Sequence, residues 1–100
     1  MQQPLWTPSP ERIAATRMDA FRRLVNTQHS LQLHAWSINE RADFWQAIVD
    51  HFEGHFSQAP SQVLSEQPGM PDASWFPGAR LNFAEHLLRR RDEHPALVAI

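Results

Sequence analysis

The 100-residue sequence contains no cysteine, no lysine and three isolated glycines. Without cysteine, the chain forms neither disulfides nor thiolate metal sites. Three separated glycines do not make the Gly-rich loop that cradles phosphates. All nine cationic residues are arginines, which we attribute to coding bias. The sequence is therefore not a disulfide scaffold, and it carries no phosphate loop of its own.

Long apolar runs and a strong net charge are also missing. No run approaches the roughly 20 residues that cross a bilayer, and the amino terminus lacks the basic and apolar regions of a signal peptide. The net charge of −2 gives no general attraction to nucleic acid or anionic lipid. We therefore expect a soluble cytoplasmic protein without membrane association.

Helical patterns dominate what is present. Apolar residues make up 42% of the sequence, and four Trp and six Phe supply much of a possible core. Ser9, Pro10 and Glu11 form a helix start, because Ser accepts a backbone N–H, Pro suits the first helical position and Glu faces the positive end of the dipole. We expect this helix to end near residues 26–27.

Two further helical segments follow. Residues 30–36 predict a short helix or turn, and Ser37 or Asn39 can cap the helix after it. The clearest amphipathic pattern covers residues 40–56, where apolar residues recur at steps of one, three and four. Gly54 weakens the last turn of this helix. Its apolar positions are Phe44, Trp45, Ile48, Val49, Phe52 and Phe56. Without further protein against this face, we expect part of it to stay exposed.

The stretch from 70 to 88 combines a turn with a helix start. Pro77 suits the second position of a turn, and Gly78 suits a positive φ. Asn82 and Glu85 are spaced like a capping pair. The helix after them has an apolar side made of Phe83, Leu87 and Leu88. The stretch therefore predicts a rigid joint followed by an amphipathic helix.

Strand signals are few. Residues 63–64 predict a very short strand. Residues 96–100 form a continuous apolar run, which is typical of a buried strand inside a parallel sheet. Because a strand without a partner is a poor end for a complete domain, we expect the sequence to be truncated. The predicted fold class is mainly α, with a truncated β-strand at its end.

His51 and His55 are the first candidate for a metal site, since they lie four residues apart on the predicted helix. Glu53 comes two residues after the first His, whereas a metalloprotease helix needs it directly after. At about 100° per residue, Glu53 points away from both histidines. We therefore favour two solvated histidines over a metal site.

Arginine and aromatic clusters are further candidates for a binding site. Arg89–Arg91 could bind phosphate or nucleic acid, but the acidic residues Asp92 and Glu93 follow at once. A solvated helix end is therefore preferred, since cations are favoured in a last turn. Trp75 and Phe76 could stack on a ligand, although such a pair more often anchors a loop. Asp50 and Asp72 lack a paired carboxylate at a readable spacing. Arg80 lies beside the turn and could bind an anion, but a salt bridge or a surface role is preferred.

Aromatic and turn residues occur along the chain in a specific order: Pro4–Ser9, Phe21, Trp36, Ser37, Phe44, Trp45 and residues 70–88. In this order they resemble the amino-terminal region of the acetoacetyl-CoA synthetases, a branch of the acetyl-CoA synthetase family of adenylate-forming ligases. The resemblance covers nearly the whole chain, and residues 75–85 are its most specific part. His86 departs from it, since Asn is expected there in relatives.

The resemblance implies a domain organisation and an activity for a longer protein. Residues 1–95 would be a small helical amino-terminal cover region, and residues 96–100 would begin the large α/β adenylate-forming domain. The longer protein would be an acetoacetate–CoA ligase that uses ATP, Mg²⁺ and coenzyme A and forms AMP through an acyl-adenylate. The family's phosphate loop, adenine site and catalytic Lys lie downstream. We therefore assign no catalytic, cofactor-binding or metal-binding residue to this chain, and we expect it to be inactive alone, with the rest of the ligase as its partner.

Two alternatives stay open. A free-standing helical protein-interaction module, derived from such a region, would use its exposed aromatics as an interface. A stop codon directly after residue 100 would favour the module, and an open reading frame would refute it. A nucleic-acid or metal binder would depend on the arginine and histidine clusters alone. Salt-sensitive DNA binding and zinc uptake test that possibility.

Overall fold

The computed structural model describes residues 2–65 and 73–100, which form five helices and two short strands. In chain order these are α1 (Pro10–Ala14), α2 (Arg17–Leu24), α3 (Ser30–Asn39), α4 (Arg41–His51), β1 (Leu64–Ser65), β2 (Ser74–Trp75) and α5 (Phe83–Leu87). The mainly α fold class is thereby confirmed. The chain divides into two compact units, of which the first ends at His51 and the second begins at Phe52.

The helix predicted from Ser9 to residues 26–27 is in fact two helices. Ser9 caps α1 as predicted. Thr16 then takes an extended conformation, and its hydroxyl accepts the N–H of Asp19 at 3.1 Å while donating to the carbonyl of Ile13 at 2.8 Å. A Thr side chain that bonds the backbone in this way competes with a continuing helix. The chain therefore leaves the helical path at Thr16, and α2 begins after it.

α3 and α4 follow each other with a single residue, Glu40, between them. Ser37 and Asn39 lie inside α3, so the prediction that one of them caps α4 is wrong. The cap of α3 is His29, whose Nδ1 accepts the N–H of Gln32 at 3.2 Å. A His cap could not be predicted from the sequence, because the preferred capping residues are Ser, Thr, Asp and Asn.

α4 ends at His51, five residues earlier than predicted. Glu53 has a φ of 53°, and a residue in the left-handed region commonly terminates a helix. Phe52 and Phe56 therefore lie outside the helix. The apolar face predicted for residues 40–56 is not continuous.

An aromatic cluster forms the core of the first unit. Phe21 and Leu33 are its buried apolar residues among those described. The ring of Phe21 contacts the rings of Phe44 and His51 edge-on, with centroids 6.1 and 5.4 Å apart, and Trp36 contacts Phe44 at 5.9 Å. Edge-to-face pairs of this kind add about 0.5–1.5 kcal/mol each beyond area burial. The cluster holds α2, α3 and α4 together.

The second unit contains a two-stranded antiparallel sheet. Leu64 lies opposite Trp75, and Ser65 lies opposite Ser74. The first strand is displaced by one residue from the predicted 63–64. Leu64 is buried, and it is the apolar core residue of this unit among those described. The sheet brings the segment before α5 against the segment that follows α4 in sequence.

The strand predicted at residues 96–100 is absent from the structure. Leu97, Val98 and Ile100 are exposed. A strand needs a neighbouring strand to pair its backbone N–H and C=O groups, and the described part of the chain supplies none here. The boundary between residues 95 and 96 therefore stays a prediction.

Residues 70–72, which belong to the predicted turn-and-helix stretch at 70–88 and include Asp72, lie outside the described residues.

Candidate functional site

The predicted turn at Pro77 and Gly78 is present and lies at the centre of the second unit's hydrogen bonding. The N–H of Ala79 donates to the carbonyl of Phe76 at 3.0 Å, so Pro77 occupies the second turn position and Gly78 the third. Gly78 has a φ of 82°, as a type II turn requires. A Cβ added at this glycine would meet no atom closer than 4.0 Å. Glycine is therefore needed for its backbone angle and not for space.

The segment after α4 pairs with both sides of this turn. The N–H of Ser57 donates to the carbonyl of Arg80 at 2.8 Å, and the N–H of Arg80 donates to the carbonyl of Gln58 at 3.0 Å. The N–H of Ser61 donates to the carbonyl of Pro77 at 2.9 Å. The structure thus gives Arg80 a main-chain role in fixing the turn.

The predicted aromatic pair, Trp75 and Phe76, lies at the start of the turn. The ring of Phe76 lies 5.9 Å from that of Phe56 in a tilted arrangement. The N–H of Phe76 also donates to the carbonyl of Val63 at 2.7 Å. Trp75, the other member of the pair, belongs to β2. Phe76 is thereby held against the segment before β1, whereas Trp75 is 41% exposed. The contacts that fit the predicted loop anchor are therefore those of Phe76.

α5 begins where the capping pair predicts. The side-chain Oδ1 of Asn82 accepts the N–H of Glu85 at 3.2 Å. The helix ends at Leu87, so the three arginines at 89–91 follow it and do not lie in its last turn. The predicted dipole compensation within the helix is therefore wrong for them.

The first two of these arginines have separate local partners. Nη1 of Arg89 donates to the carbonyls of Phe52 and Glu53 at 2.9 and 3.1 Å. Arg90 pairs with Asp92 at 3.0 Å. Because these charges are used locally, the geometry does not favour a phosphate or nucleic-acid patch.

His51 and His55 do not form a pair on one helix. His51 is the last residue of α4, and its ring lies against Phe21. His55 lies beyond the helix end, and its Nε2 is 3.4 Å from Oε1 of Glu85. Among the described residues, no group of three or more His, Cys, Asp or Glu could hold a metal ion.

His86 links α5 to the segment that follows α4 in sequence. The backbone N–H of His55 donates to Nε2 of His86 at 2.8 Å, and Nδ1 of His86 lies 3.0 Å from the carbonyl of Asn82. A neutral ring with its proton on Nδ1 satisfies both contacts, because Nε2 must present its lone pair to the N–H of His55. With both ring nitrogens engaged, His86 is placed as a structural link.

A groove of about 440 Å³ lies in the first unit. It is lined by residues of α1, α2, α3 and the turns between them: Ile13, Thr16, Met18, Asp19, Arg22, Gln28, His29, Ser30 and Leu33. Asp19 is 8% exposed. Its carboxylate accepts a hydrogen bond from Nε of Arg22 at 2.8 Å and pairs with Nε of Arg23 at 3.2 Å. This carboxylate is therefore committed to contacts inside the unit.

The surroundings of Asp19 favour its charged form. The hydrogen bond from Arg22 holds the pKa of Asp19 below its usual value, burial opposes this shift, and the charges of Arg22 and Arg23 add to it. Arg22 also donates through Nη1 to the carbonyl of Thr27, a second buried polar residue. Sequence reasoning missed this network, although the spacing of Asp19 with cations three and four residues later signals such pairs on a helix.

Comparison with known sequences gives a consistent set of relatives. Residues 31–87 match the protein family described as the acetyl-coenzyme A synthetase N-terminus. The chain is 33% identical over 103 residues to the acetoacetyl-coenzyme A synthetase of Rhizobium meliloti, covering 97% of this chain and 16% of the relative. It is 38% identical over 91 residues to a malonamoyl-CoA synthetase of Penicillium aethiopicum, covering 84% of this chain and 12% of the relative.

Comparison with solved structures agrees with the sequences. The acetoacetyl-CoA synthetase from Streptomyces lividans matches with a TM-score of 0.82 and 40% sequence identity, covering 88% of this chain and 15% of that chain. This chain therefore spans about one sixth or less of the length of the relatives it matches. Within the described residues, no helix is long and apolar enough to cross a membrane.

Proposed function

Since the chain belongs to the acetyl-coenzyme A synthetase N-terminus family, we propose that it is the amino-terminal region of an acetoacetate–CoA ligase. The observation that carries this proposal is the match to the Streptomyces lividans acetoacetyl-CoA synthetase, at a TM-score of 0.82 and 40% identity. The relative from Rhizobium meliloti is also named an acetoacetyl-coenzyme A synthetase. One relative is named a malonamoyl-CoA synthetase, so other short acids are the alternative substrates to test beside acetoacetate.

In this proposal the longer protein is a cytoplasmic, AMP-forming ligase. It activates acetoacetate with ATP and Mg²⁺ to an acyl-adenylate, releases pyrophosphate and transfers the acyl group to coenzyme A. The described residues of this chain do not fit a site for these groups. The chain has no lysine and no Gly-rich loop, and its described acidic and histidine side chains form no cluster suited to a cation. We propose that its own contribution to the ligase is structural.

The structural contribution lies mainly in the second unit. The type II turn at Gly78 reverses the chain, the main chain around Arg80 fixes the turn, and Asn82 starts α5. The turn, the hydrogen bonds that fix it and the helix cap together set the direction in which the chain continues toward residue 100. In a ligase of this family, such a joint would lead from the helical region into the large domain.

Pyrophosphate release tests the proposal. The isolated 100 residues should release no pyrophosphate when supplied with ATP, Mg²⁺ and acetoacetate, whereas a longer product of the same gene should do so. Acetoacetate is compared with malonamate and acetate, and reactions without the acid serve as the control. Acid-dependent release by the isolated chain would contradict its structural role. An inactive longer product with all three acids would contradict the ligase.

The alternative hypothesis is a free-standing helical interaction module. The reading frame after residue 100 distinguishes it from the ligase hypothesis. A stop codon directly after Ile100 would favour the module. An open frame that continues into a Ser/Thr/Gly-rich loop would favour the ligase. The same sequencing result also decides whether a longer product exists for the assay.

A further inference from the structure

Two contacts of different chemistry hold α5 to the segment that follows α4 in sequence. Nε2 of His86 accepts the backbone N–H of His55 at 2.8 Å. Nη1 of Arg89 donates to the carbonyls of Phe52 and Glu53 at 2.9 and 3.1 Å. We call the first contact the histidine link and the second the arginine link. The histidine link depends on a side chain of the type that gains or loses a proton between about pH 5 and pH 8.

The histidine link requires a neutral His86 ring. Nε2 must present its lone pair to the N–H of His55, and Nδ1 lies 3.0 Å from the carbonyl of Asn82. A protonated ring carries an N–H on each nitrogen, so Nε2 would then direct a hydrogen atom at the N–H of His55. Because two donors do not form a hydrogen bond, the gain of one proton breaks the histidine link.

The arginine link does not respond to the same proton. A guanidinium stays charged throughout this pH range and keeps its N–H donors. The carbonyls of Phe52 and Glu53 therefore remain its acceptors. The turn at Pro77 and Gly78 also keeps its hydrogen bonds, since they join backbone groups. Loss of the histidine link is therefore confined to the contact between α5 and residue 55.

The charged groups beside His86 do not replace the lost hydrogen bond. On the two segments that meet here, residues 52–58 and 82–89, the other titratable and charged side chains are Glu53, His55, Glu85 and Arg89. Nε2 of His55 lies 3.4 Å from Oε1 of Glu85, and the two side chains are 67% and 56% exposed. Protonation of His55 strengthens this pair, but an ion pair this exposed contributes little. A fall in pH therefore has the net effect of loosening residue 55 from α5.

We propose that the histidine link is a pH-dependent switch in the second unit. It is closed when the ring of His86 is neutral and open when the ring is protonated. In the open state, α5 stays attached through the arginine link, while residue 55 loses its fixed position. The switch is a property of the contacts within this unit and does not depend on the ligase assignment.

Hydrogen–deuterium exchange at the amide of residue 55 tests the switch. Exchange is measured at pH 8 and pH 5 on the full-length product of the gene, with peptide fragmentation that resolves single amides. Protection is expressed relative to an unstructured peptide at the same pH. It should fall at least about tenfold at pH 5, because histidine passes from mostly neutral to mostly protonated across this range. Equal protection at both pH values would overturn the proposal.

Two substitutions of His86 separate the acceptor from the proton. Gln has an amide oxygen that accepts an N–H and no group that titrates here, so His86→Gln should make the protection of residue 55 equal at the two pH values. His86→Leu removes the acceptor and should leave this amide unprotected at both. A pH dependence that survives in either variant would contradict the role given to His86.

His94→Gln is the matched control, because His94 is an exposed histidine in the same unit. It should keep the full pH dependence at residue 55, and its loss would contradict the assignment to His86. His55→Gln keeps the backbone N–H but removes the ring that pairs with Glu85. It should also keep the pH dependence, and a loss would assign the switch to the ring of His55 instead.

Exchange in α4 distinguishes the switch from general unfolding in acid. The amides of α4 belong to the first unit, and their protection should be the same at pH 8 and pH 5. An equal loss of protection in α4 and at residue 55 would show that the whole chain unfolds, and it would overturn the proposal of a local switch.

Discussion

At the scale of single residues, Asp19 is a buried carboxylate that pairs with two arginines. Its carboxylate is buried and is engaged by Arg22 and Arg23, while its backbone N–H is accepted by Thr16. A buried charge is tolerated only when it is paired and hydrogen-bonded. Asp19 therefore ties the start of α2 to the turn at its end through Arg22.

This pairing predicts a pH dependence of stability. Since the pKa of Asp19 is lower in the folded chain than its ordinary value of 3.8, the folded state binds this proton less readily than the unfolded state. The stabilisation is present above the unfolded pKa and is lost as pH falls through the folded pKa. Asp19→Asn should melt at a lower temperature than the unsubstituted chain near neutral pH, and the difference should narrow below about pH 4.

Thermal melts followed by circular dichroism, from neutral pH down into acid, measure this effect. Asp43→Asn is the control, because Asp43 is an exposed carboxylate on α4. The melting temperature of Asp43→Asn should change with pH in the same way as that of the unsubstituted chain. A constant difference between Asp19→Asn and the unsubstituted chain across the whole pH range would contradict the role given to Asp19.

At the scale of secondary-structure elements, Thr16 separates α1 from α2. Its hydroxyl satisfies one N–H at the start of α2. Loss of such a cap costs about 1 kcal/mol. Thr16→Ala should therefore lower the free energy of unfolding in urea by about that amount, whereas Thr16→Ser should keep most of it. If the alanine variant were equally stable or more stable, the interruption of the helix at Thr16 would not contribute to the free energy of unfolding.

The turn before α5 allows a second test at this scale. Gly78→Ala places a side chain at a φ of 82°, which should destabilise the second unit by about 1–2 kcal/mol. Gly54→Ala is the matched control, because the φ of Gly54 is not in the positive range, and it should be neutral or slightly stabilising. Urea unfolding of both variants gives the comparison. Equal effects would show that the turn angle does not limit stability.

At the scale of the whole molecule, few apolar side chains are removed from water. Among the described residues, Phe21, Leu33 and Leu64 are the buried apolar ones, two in the first unit and one in the second. Backbone ordering costs about 1–2 kcal/mol per residue. A core this small therefore leaves only a small net free energy of unfolding. The large exposed apolar side chains include residues of both units.

We therefore expect the isolated chain to be marginally stable. Its calorimetric transition should be broad, with an enthalpy well below the roughly 60–80 kcal/mol of a compact 100-residue domain. Calorimetry at two protein concentrations, together with the mass in solution, measures this. A sharp, concentration-independent transition of full enthalpy from a monomer would contradict it.

The sequence by itself determined the features that depend on a few neighbouring residues. The caps at Ser9 and Asn82, the turn at Pro77 and Gly78 and the mainly α class are all present. The order of motifs also indicated the family that the comparisons then matched. These features were predictable because a cap or a tight turn is decided by backbone angles and hydrogen bonds within about four residues.

Only the tertiary structure decided the features that join residues distant in sequence. The burial of Asp19 depends on how the helices pack around it, and the contact of His86 with His55 spans 31 positions. The orientation of α5 could not be derived from its periodicity, because an amphipathic pattern shows two faces without showing which one contacts the chain. Here the polar face makes the contacts and the apolar face is exposed. The physical reason is that the side chains of His86 and Arg89 make hydrogen bonds with the backbone at residues 52–55, whereas Phe83 and Leu87 remain exposed.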